Sequence, residues 1–288
     1  MNPSYNDIEY FIEVAQTKNI SRAAERLGVT QPSLSFAMKR LEDVFGESLF
    51  TRSRSGVQLT KAGKELLFHG RALLSQWEQL RAEIKKKSES VGGQYTIGCH
   101  PSVGLYSLSK FIPDLLNKYP DLELKLHHDL SRKITEAVIS HELDFGLVVN
   151  PVRHPELVII ELCVDEVKFW IAKELTANER KTVLTTVIWD PALLQAQELL
   201  RNLKVKQHSF RRQLPSASLE IVADLTLAGA GIGILPQRVA ARVAGSRLIC
   251  INKQWPTFKD RICLVYRADI QKTKATGVII SAIKTALD

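Results

Sequence analysis

The sequence lacks the features of membrane, secreted and metal-scaffold proteins. No apolar run approaches the roughly 18 residues that a transmembrane helix needs. The N-terminal residues are acidic where a secretory signal has a basic and then an apolar segment, so we expect a cytoplasmic protein. The four cysteines stand far apart without a CxxC pair, which argues against a zinc framework or a disulfide scaffold.

Catalytic, nucleotide-binding and metal-binding patterns are also missing from the sequence. The seven histidines form no catalytic triad with acidic residues at credible spacing. The glycines near position 231 have the wrong spacing for a dinucleotide fingerprint. His127 and His128 are adjacent, so on a strand they point to opposite faces and do not easily share one ion. We therefore expect no enzyme activity, no cofactor and no metal.

Basic residues are unevenly distributed along the chain. The 288 residues carry 39 Lys+Arg and 31 Asp+Glu, a net charge of +8. Residues 1–88 hold 14 of the basic and 10 of the acidic residues, so this part is more than twice as basic per residue as the rest. A basic segment suits a polyanionic partner such as DNA. The polar stretch 85–93, which ends in two glycines, separates the two parts.

A helix-turn-helix is predicted near the N-terminus. Ser21 is a good N-cap for a helix over 22–27, and Gly28 ends that helix. A second helix begins with Thr30 or Gln31 as its cap and runs to about residue 45, where a glycine follows. Two short helices joined by a three-residue turn with glycine are typical of this DNA-binding motif.

The second helix has two distinct faces. Helical spacing predicts a buried stripe of Leu34, Met38, Leu41 and Phe45. In a DNA major groove, glutamine reads adenine, serine and lysine reach bases or phosphates, and an aromatic ring packs on a thymine methyl. The residues of the motif predicted to contact DNA are Ser21, Gln31, Pro32, Ser33, Ser35, Phe36 and Lys39. Packing of Phe36 on the neighbouring N-terminal helix stays an alternative.

Residues 48–60 predict a β-hairpin, or wing. Two short β-like segments flank a turn that contains serine, arginine and glycine. Arg52 and Arg54 lie where they could reach phosphates or the minor groove. The alternative is that both are solvated surface arginines.

Residues 61–88 predict one long helix with a heptad stripe. Apolar residues recur at alternating spacings of three and four, with glycines at two of the positions. A lone helix of this length has little core to lie against, so we expect pairing with a second copy of the chain. The predicted dimerisation residues are Leu66, Leu73, Trp77, Leu80 and Ile84. Packing of the stripe on its own domain is the alternative.

Beyond residue 91, short β-like runs alternate with helical segments. This alternation predicts an α/β domain with mainly parallel strands. The predicted domains are therefore 1–60, which would bind DNA, 61–90, the linker helix, and 91–288.

These motifs resemble the LysR-type family of bacterial transcription regulators. The resemblance is densest in Ile8-Glu9-Tyr10-Phe11, Ser21-Arg22-Ala23-Ala24-Glu25-Arg26-Leu27, Thr30-Gln31-Pro32-Ser33-Leu34-Ser35 and Leu49-Phe50-Thr51-Arg52. It continues through Glu142-Leu143-Asp144 and the run 228–236, and so covers nearly the whole chain. It implies an α plus α/β fold: a winged helix-turn-helix, a dimerising linker helix, and an effector domain like the two-lobed periplasmic binding proteins.

The resemblance also implies lobe boundaries, partners and an effector site. Lobe one would be about 94–163 with 268–288, and lobe two about 164–267. The partners would be double-stranded DNA with an interrupted inverted repeat, a small-molecule effector, further copies in a dimer or tetramer, and RNA polymerase. His100, Ser102 and Ser131 would contact the effector, and two helix N-termini there favour an anion. A constitutive DNA-binding regulator with a non-functional pocket stays the alternative, and an enzyme or solute-binding protein that shares these lobes is a more distant one.

Overall fold

The computed structural model describes residues 3–53, 56–85, 91–176, 179–180, 183–205, 209–270 and 272–287. The chain forms two compact units. One comprises Met1–Gly93 with Ser140–Glu142, and the other comprises Gln94–Ile139 with Leu143–Asp288.

The first unit contains a helix-turn-helix followed by a hairpin and a long helix. Its elements are α1 (Tyr5–Thr17), α2 (Ile20–Leu27), α3 (Gln31–Phe45), β1 (Phe50–Ser53), β2 (Gly56–Leu59) and α4 (Lys61–Lys85). Phe11, Val14, Leu34 and Leu41 are fully buried in the core that these elements enclose.

Local stereochemistry sets the ends of the helices. Gly28 and Gly46 both adopt the left-handed conformation that ends a helix, with φ of 66° and 67°. Thr30 caps α3 by accepting a hydrogen bond from the Ser33 N–H. The predicted cap at Ser21 is wrong: Asn19 caps α2, because its side chain accepts from the Arg22 N–H, and Ser21 lies inside the first turn.

The heptad stripe of α4 has two different environments. A Cβ at Gly63 would lie 2.1 Å from the Leu49 carbonyl oxygen, and one at Gly70 would lie 3.0 Å from Ile8 Cγ2. These glycines therefore let α4 approach its own unit closely, and Leu66 packs against the same core. The stripe then becomes exposed at Leu73 (52%), Trp77 (47%) and Leu80 (45%). Ile84 lies within α4, but its side chain is outside the described part of the structure.

The second unit alternates strands and helices. Its strands are β3 (Gly93–Cys99), β4 (Leu122–His128), β5 (Phe145–Val149), β6 (Leu157–Ala172), β7 (Thr186–Trp189), β8 (Arg212–Pro215), β9 (Ile232–Pro236), β10 (Leu248–Cys250) and β11 (Phe258–Arg267). Its helices are α5 (Pro101–Ser107), α6 (Ile112–Lys118), α7 (Ser131–Ile139), α8 (Leu194–Val205), α9 (Leu219–Leu227), α10 (Gln237–Ala244) and α11 (Lys274–Leu287).

Two long antiparallel strands join the lobes of this unit. The strand order is β4-β3-β5-β11-β6-β9-β7-β8, with β10 also paired to β6. The first three strands belong to one lobe and the last three to the other, so β6 and β11 run through both. Residues Ile262–Tyr266 of β11 pair with β5 of lobe one. The chain therefore re-enters lobe one before residue 268, where the sequence predicted that it would. The β6–β11 register shifts between Ile262 and Cys263, which marks a bulge where the lobes meet.

The observed architecture confirms the predicted fold class of a winged helix-turn-helix and a two-lobed α/β domain. The sheet is less parallel than predicted, because β6 and β11 pair antiparallel with each other and with β5, β9 and β10. One packing prediction is wrong. Phe45, assigned to the buried stripe of α3, is 49% exposed, because it forms the last residue of the helix and lies beyond the core that buries Leu34 and Leu41.

Candidate nucleic-acid interface and effector cleft

The helix α3 separates a buried face from an exposed one. Leu34, Ala37, Met38 and Leu41 are buried. On the other side the side chains of the predicted DNA-contacting set lie together: Gln31, Pro32, Ser33, Phe36 and Lys39 are exposed and Ser35 is half-buried. The core thus fixes the helix by one face and leaves the opposite face for a partner.

Phe36 is the large apolar residue on this exposed face. It is 62% exposed, so the rest of the unit leaves most of its ring uncovered. The Arg40 guanidinium lies 5.5 Å from the centroid of its ring. Arg40 in turn donates two hydrogen bonds to the buried carboxylate of Asp7 on α1.

The Asp7 carboxylate is held in its charged form. Burial by itself would raise its pKa, but hydrogen bonds from Arg40 and from the Ser4 backbone lower the pKa below its ordinary value. The same carboxylate completes a capping box with Ser4 at the start of α1. Asp7 therefore links the N-terminus of α1 to the outer face of α3.

A groove of about 1010 Å³ runs beside this face. It is lined by Pro32, Ser35, Phe36 and Lys39 of α3 and by residues of the hairpin strands, including Phe50 and Val57. Three carboxylates, those of Glu42, Asp43 and Glu47, line it as well. Glu42 accepts hydrogen bonds from the Leu49 and Phe50 N–H groups, so it has a structural role.

The predicted wing is present and attached to α1. β1 and β2 pair antiparallel, with Arg52 opposite Val57. The Val57 N–H donates to the Lys18 carbonyl at the end of α1, and a Cβ at Gly56 would lie 2.3 Å from that oxygen. The Arg52 side chain and all of Arg54 lie outside the described residues. Ser21 is exposed in the first turn of α2.

The second candidate site lies between the lobes, where the carboxyl ends of parallel strands meet. β3 and β5 are parallel in one lobe, and β7, β8 and β9 are parallel in the other. Open α/β sheets bind ligands outside the carboxyl ends of their strands. His100, Ser131 and Asn150 come after β3, β4 and β5, while Asp190 and Arg238 come after β7 and β9.

His100 and Ser102 form a buried pair at the start of α5. The Ser102 hydroxyl lies 2.7 Å from His100 Nδ1, and His100 Nδ1 accepts from the Ser102 N–H. Burial lowers the pKa of His100 below its ordinary value, although the carboxylates of Glu220, Asp190 and Asp129 oppose this shift. The imidazole is therefore neutral at pH 7, with its nearest charges mostly negative.

Ser131 has a partner of its own in the sheet. Its hydroxyl accepts a hydrogen bond from the Val149 N–H at 3.0 Å, so this serine connects the start of α7 to the end of β5. The Ser131 hydroxyl can still donate to a ligand.

A buried polar group that the sequence did not predict lies at the hinge, where β6 and β11 connect the two lobes. Asp165 on β6 and Asp260 on β11 are cross-strand partners. Asn150 and Gln195 donate to Asp260 at 2.7 and 3.2 Å, and the Arg238 N–H donates to Asp165. The alternation of side chains along β6 could have revealed this group, because Asp165 lies on the same strand face as three buried apolar residues further along the strand.

The cysteines carry no sign of a reactive thiol pair. Cys263 is buried on β11, while Cys250 is half-buried on β10. Burial raises the pKa of Cys99 to about 11, which disfavours the thiolate. Among the described residues, no group of three or more histidine, cysteine or acidic side chains could hold a metal ion.

Comparison with known proteins decides the family. Residues 5–64 match the model of the bacterial regulatory helix-turn-helix protein, lysR family. Residues 88–288, well over half of the chain, match the LysR substrate binding domain. The chain belongs to the LysR family.

Relatives of this LysR protein cover most of its length. The Hca operon transcriptional activator HcaR of Escherichia coli is 30% identical over 235 residues, which are 79% of each chain. A full-length OxyR variant of Pseudomonas aeruginosa has a TM-score of 0.71 at 20% identity, with 99% of this chain and 96% of that chain covered. Full-length CbnR complexed with its target DNA has a TM-score of 0.62 at 21% identity, with 98% and 99% covered.

The chain is a LysR-type DNA-binding transcription regulator with an effector-binding domain. Its curated relatives are transcription regulators and not enzymes. Within the described part of the chain, no helix has the length and apolar character to cross a membrane.

Proposed function

We propose that this LysR protein regulates transcription by binding an interrupted inverted repeat of duplex DNA, under the control of a small molecule bound between its two lobes. The observation that carries the proposal is the division of α3. Its buried face is fixed in the core, while Gln31, Ser33, Phe36 and Lys39 stand exposed where a recognition helix meets the major groove. The wing arginines Arg52 and Arg54 then hold the DNA backbone.

Self-association through α4 supports binding to two half-sites. Leu73, Trp77 and Leu80 lie three and four residues apart and expose about half of their side chains. Such a stripe is costly in water and is covered when two copies pair. We propose a dimer through this stripe, with the tetramer as a further assembly; two-fold symmetry in the protein then matches an inverted repeat in the DNA.

The inter-lobe cleft is the proposed effector site. His100, Ser102 and Ser131 follow the carboxyl ends of strands β3 and β4 in lobe one, which is where open α/β folds bind small molecules. The anionic effector predicted from helix N-termini stays a prediction, and the carboxylates of Asp190 and Glu220 near His100 work against it. A test therefore needs both carboxylates and amines.

Effector binding would act through the two strands that connect the lobes. Both strands run through both lobes, so bending β6 and β11 at their bulge near Ile262 changes the angle between the lobes. In an oligomer this change alters the spacing of the recognition helices and so the geometry of the bound DNA. RNA polymerase is the further partner that such a change would reach, in the cytoplasm where the DNA lies.

DNase I footprinting of the full chain tests the proposal. The protein is bound to the DNA site that it selects from a random duplex library, with and without a panel of small carboxylates and amines. We expect a protected inverted repeat whose pattern shifts with one compound. Ser102→Ala should blunt that shift and leave binding without the compound unchanged; Ser109→Ala, an exposed serine beyond α5, is the matched control. Protection that no compound shifts would point to constitutive binding.

A further inference from the structure

Phe36 has a position that its own fold does not explain. It is 62% exposed on a helix whose core side is already filled by Leu34 and Met38. In the described part of this unit, Phe36 is not among the apolar residues that pack against that core. An exposed aromatic ring on the face that meets DNA has an apolar surface available for a partner.

The ring is held in place from behind by a fixed guanidinium. Arg40 lies one helical turn after Phe36, with its guanidinium carbon 5.5 Å from the ring centroid. Its Nε donates to Asp7 Oδ2 at 3.0 Å, and its Nη2 donates to Asp7 Oδ1. This two-point contact fixes the plane of the guanidinium. Because Asp7 is buried and is itself held by the Ser4 N–H, the support reaches back to the start of α1.

The chemistry of the ring selects one base. A phenylalanine ring has neither a hydrogen-bond donor nor an acceptor, so it reads none of the polar edges of the major groove. The C5-methyl group of thymine is the apolar feature that the groove offers. We propose that Phe36 selects a thymine in each half-site by packing on its methyl group, and that Arg40 and Asp7 are positioning residues that orient the ring.

The proposal rests on the proposed function, and replacement of thymine by deoxyuridine tests it separately. This change removes one methyl group and leaves the pairing edge intact. Each thymine of the selected DNA site is replaced in turn, and the dissociation constant is measured by fluorescence anisotropy with the full chain. We expect one position per half-site at which binding weakens by about fourfold, the equivalent of one buried methyl group at about 0.8 kcal/mol.

Variants identify the side chain that reads this methyl group. Phe36→Ala should abolish the discrimination between thymine and deoxyuridine at that position. Phe45→Ala removes an equally large exposed ring from the same helix, half a turn further round, and should keep it. Discrimination that survives Phe36→Ala would overturn the proposal. A protein that binds its site but distinguishes no thymine from deoxyuridine also overturns it, while the proposed function stands; failure to bind any site specifically would overturn the function.

The positioning role has its own readout. Arg40→Lys keeps the charge but loses the planar two-point contact. The salt dependence of binding should therefore be unchanged, while the ratio of the dissociation constants for deoxyuridine and thymine DNA falls toward one. Asp7→Asn should reduce discrimination in the same way. The ratio of two dissociation constants does not depend on the fraction of folded protein, so it separates positioning from stability. Full discrimination in both variants would show that neither residue orients the ring.

Discussion

Asp165 and Asp260 lie directly opposite each other on β6 and β11, the two strands that run through both lobes. Both are buried, with 4% and 2% of their surface exposed. Burial raises the pKa of Asp260 to about 7, and the charge of Asp165 adds to this shift, while hydrogen bonds from Asn150 and Gln195 oppose it. A single proton at the hinge is therefore bound or lost near neutral pH.

This pair predicts that the protein loses stability as pH rises toward 7. A carboxyl group whose pKa is about 7 in the folded state and 3.8 unfolded binds more protons when folded, so its contribution declines between these values. From pH 6.5 to 7.5 we expect Asp260 to lower the free energy of unfolding by about 0.7 kcal/mol, and His100, whose pKa is lowered in the folded state, to offset part of this fall. Above pH 6.5, Asp144 contributes little, because its pKa is raised to about 6.

Urea denaturation followed by tryptophan fluorescence measures this decline. Three of the four tryptophans, Trp170, Trp189 and Trp255, lie in the second unit. Asp260→Asn should remove the decline between pH 6.5 and 7.5. Asp224→Asn, an exposed carboxylate on α9, should retain it. An Asp260→Asn protein with the wild-type pH dependence would show that this group does not titrate in the window.

Gly63 predicts a sharp steric effect in the linker helix. In Gly63→Ala the new Cβ would meet the Leu49 carbonyl at 2.1 Å, and backbone cannot move aside cheaply. We expect a loss of about 1–3 kcal/mol in the free energy of unfolding. Gly277→Ala in α11 meets open space and should instead gain roughly 0.5–1 kcal/mol, as helical glycines do. Denaturation followed by circular dichroism compares them, and a neutral Gly63→Ala would contradict the packing.

The exposed stripe of α4 predicts the assembly. Leu73→Glu with Leu80→Glu places charge in the proposed helix–helix contact, and sedimentation velocity of the full chain should show dissociation toward monomer. Leu126→Glu is the matched control, because Leu126 on β4 is also 45% exposed. If the double variant sediments like the wild type, the stripe does not hold the copies together.

Base reading and backbone contact should separate by mutation. Gln31→Ala should cost about 1–3 kcal/mol at one base pair and relax specificity there. Arg52→Ala should weaken all sequences alike and reduce the slope of log affinity against log salt by about one. Lys125→Ala, an exposed lysine of the second unit, should change neither. Anisotropy titrations on specific and random DNA distinguish the variants, and identical behaviour on random DNA would refute this division of roles.

Local stereochemistry is why the sequence predicts the helix-turn-helix so closely. The glycine ends at Gly28 and Gly46 need a left-handed backbone, and a cap at Thr30 needs only its neighbours. Helical spacing also places Leu34 and Leu41 in the core. Helical spacing gives the wrong prediction for Phe45, because it shows which way a side chain points but not whether another element packs against that side chain.

Partners distant in sequence explain what could not be predicted. The heptad stripe of α4 predicts an apolar surface but does not show which element covers it. In the structure, Gly63 and Gly70 of this stripe face their own unit. The Asp165–Asp260 pair depends on the register of two strands, and the Asp7–Arg40 contact joins two helices. Single-sequence patterns contain neither register nor helix packing.

Selection of DNA from a random duplex library tests the central claim most directly. We predict that the full-length protein enriches a motif of two half-sites related by two-fold symmetry and spaced by about one helical turn or a multiple of it. The same selection with Gln31→Ala should relax one position in each half-site. A library without an enriched motif, or a motif unchanged by Gln31→Ala, would contradict the claim that α3 reads DNA sequence in this protein.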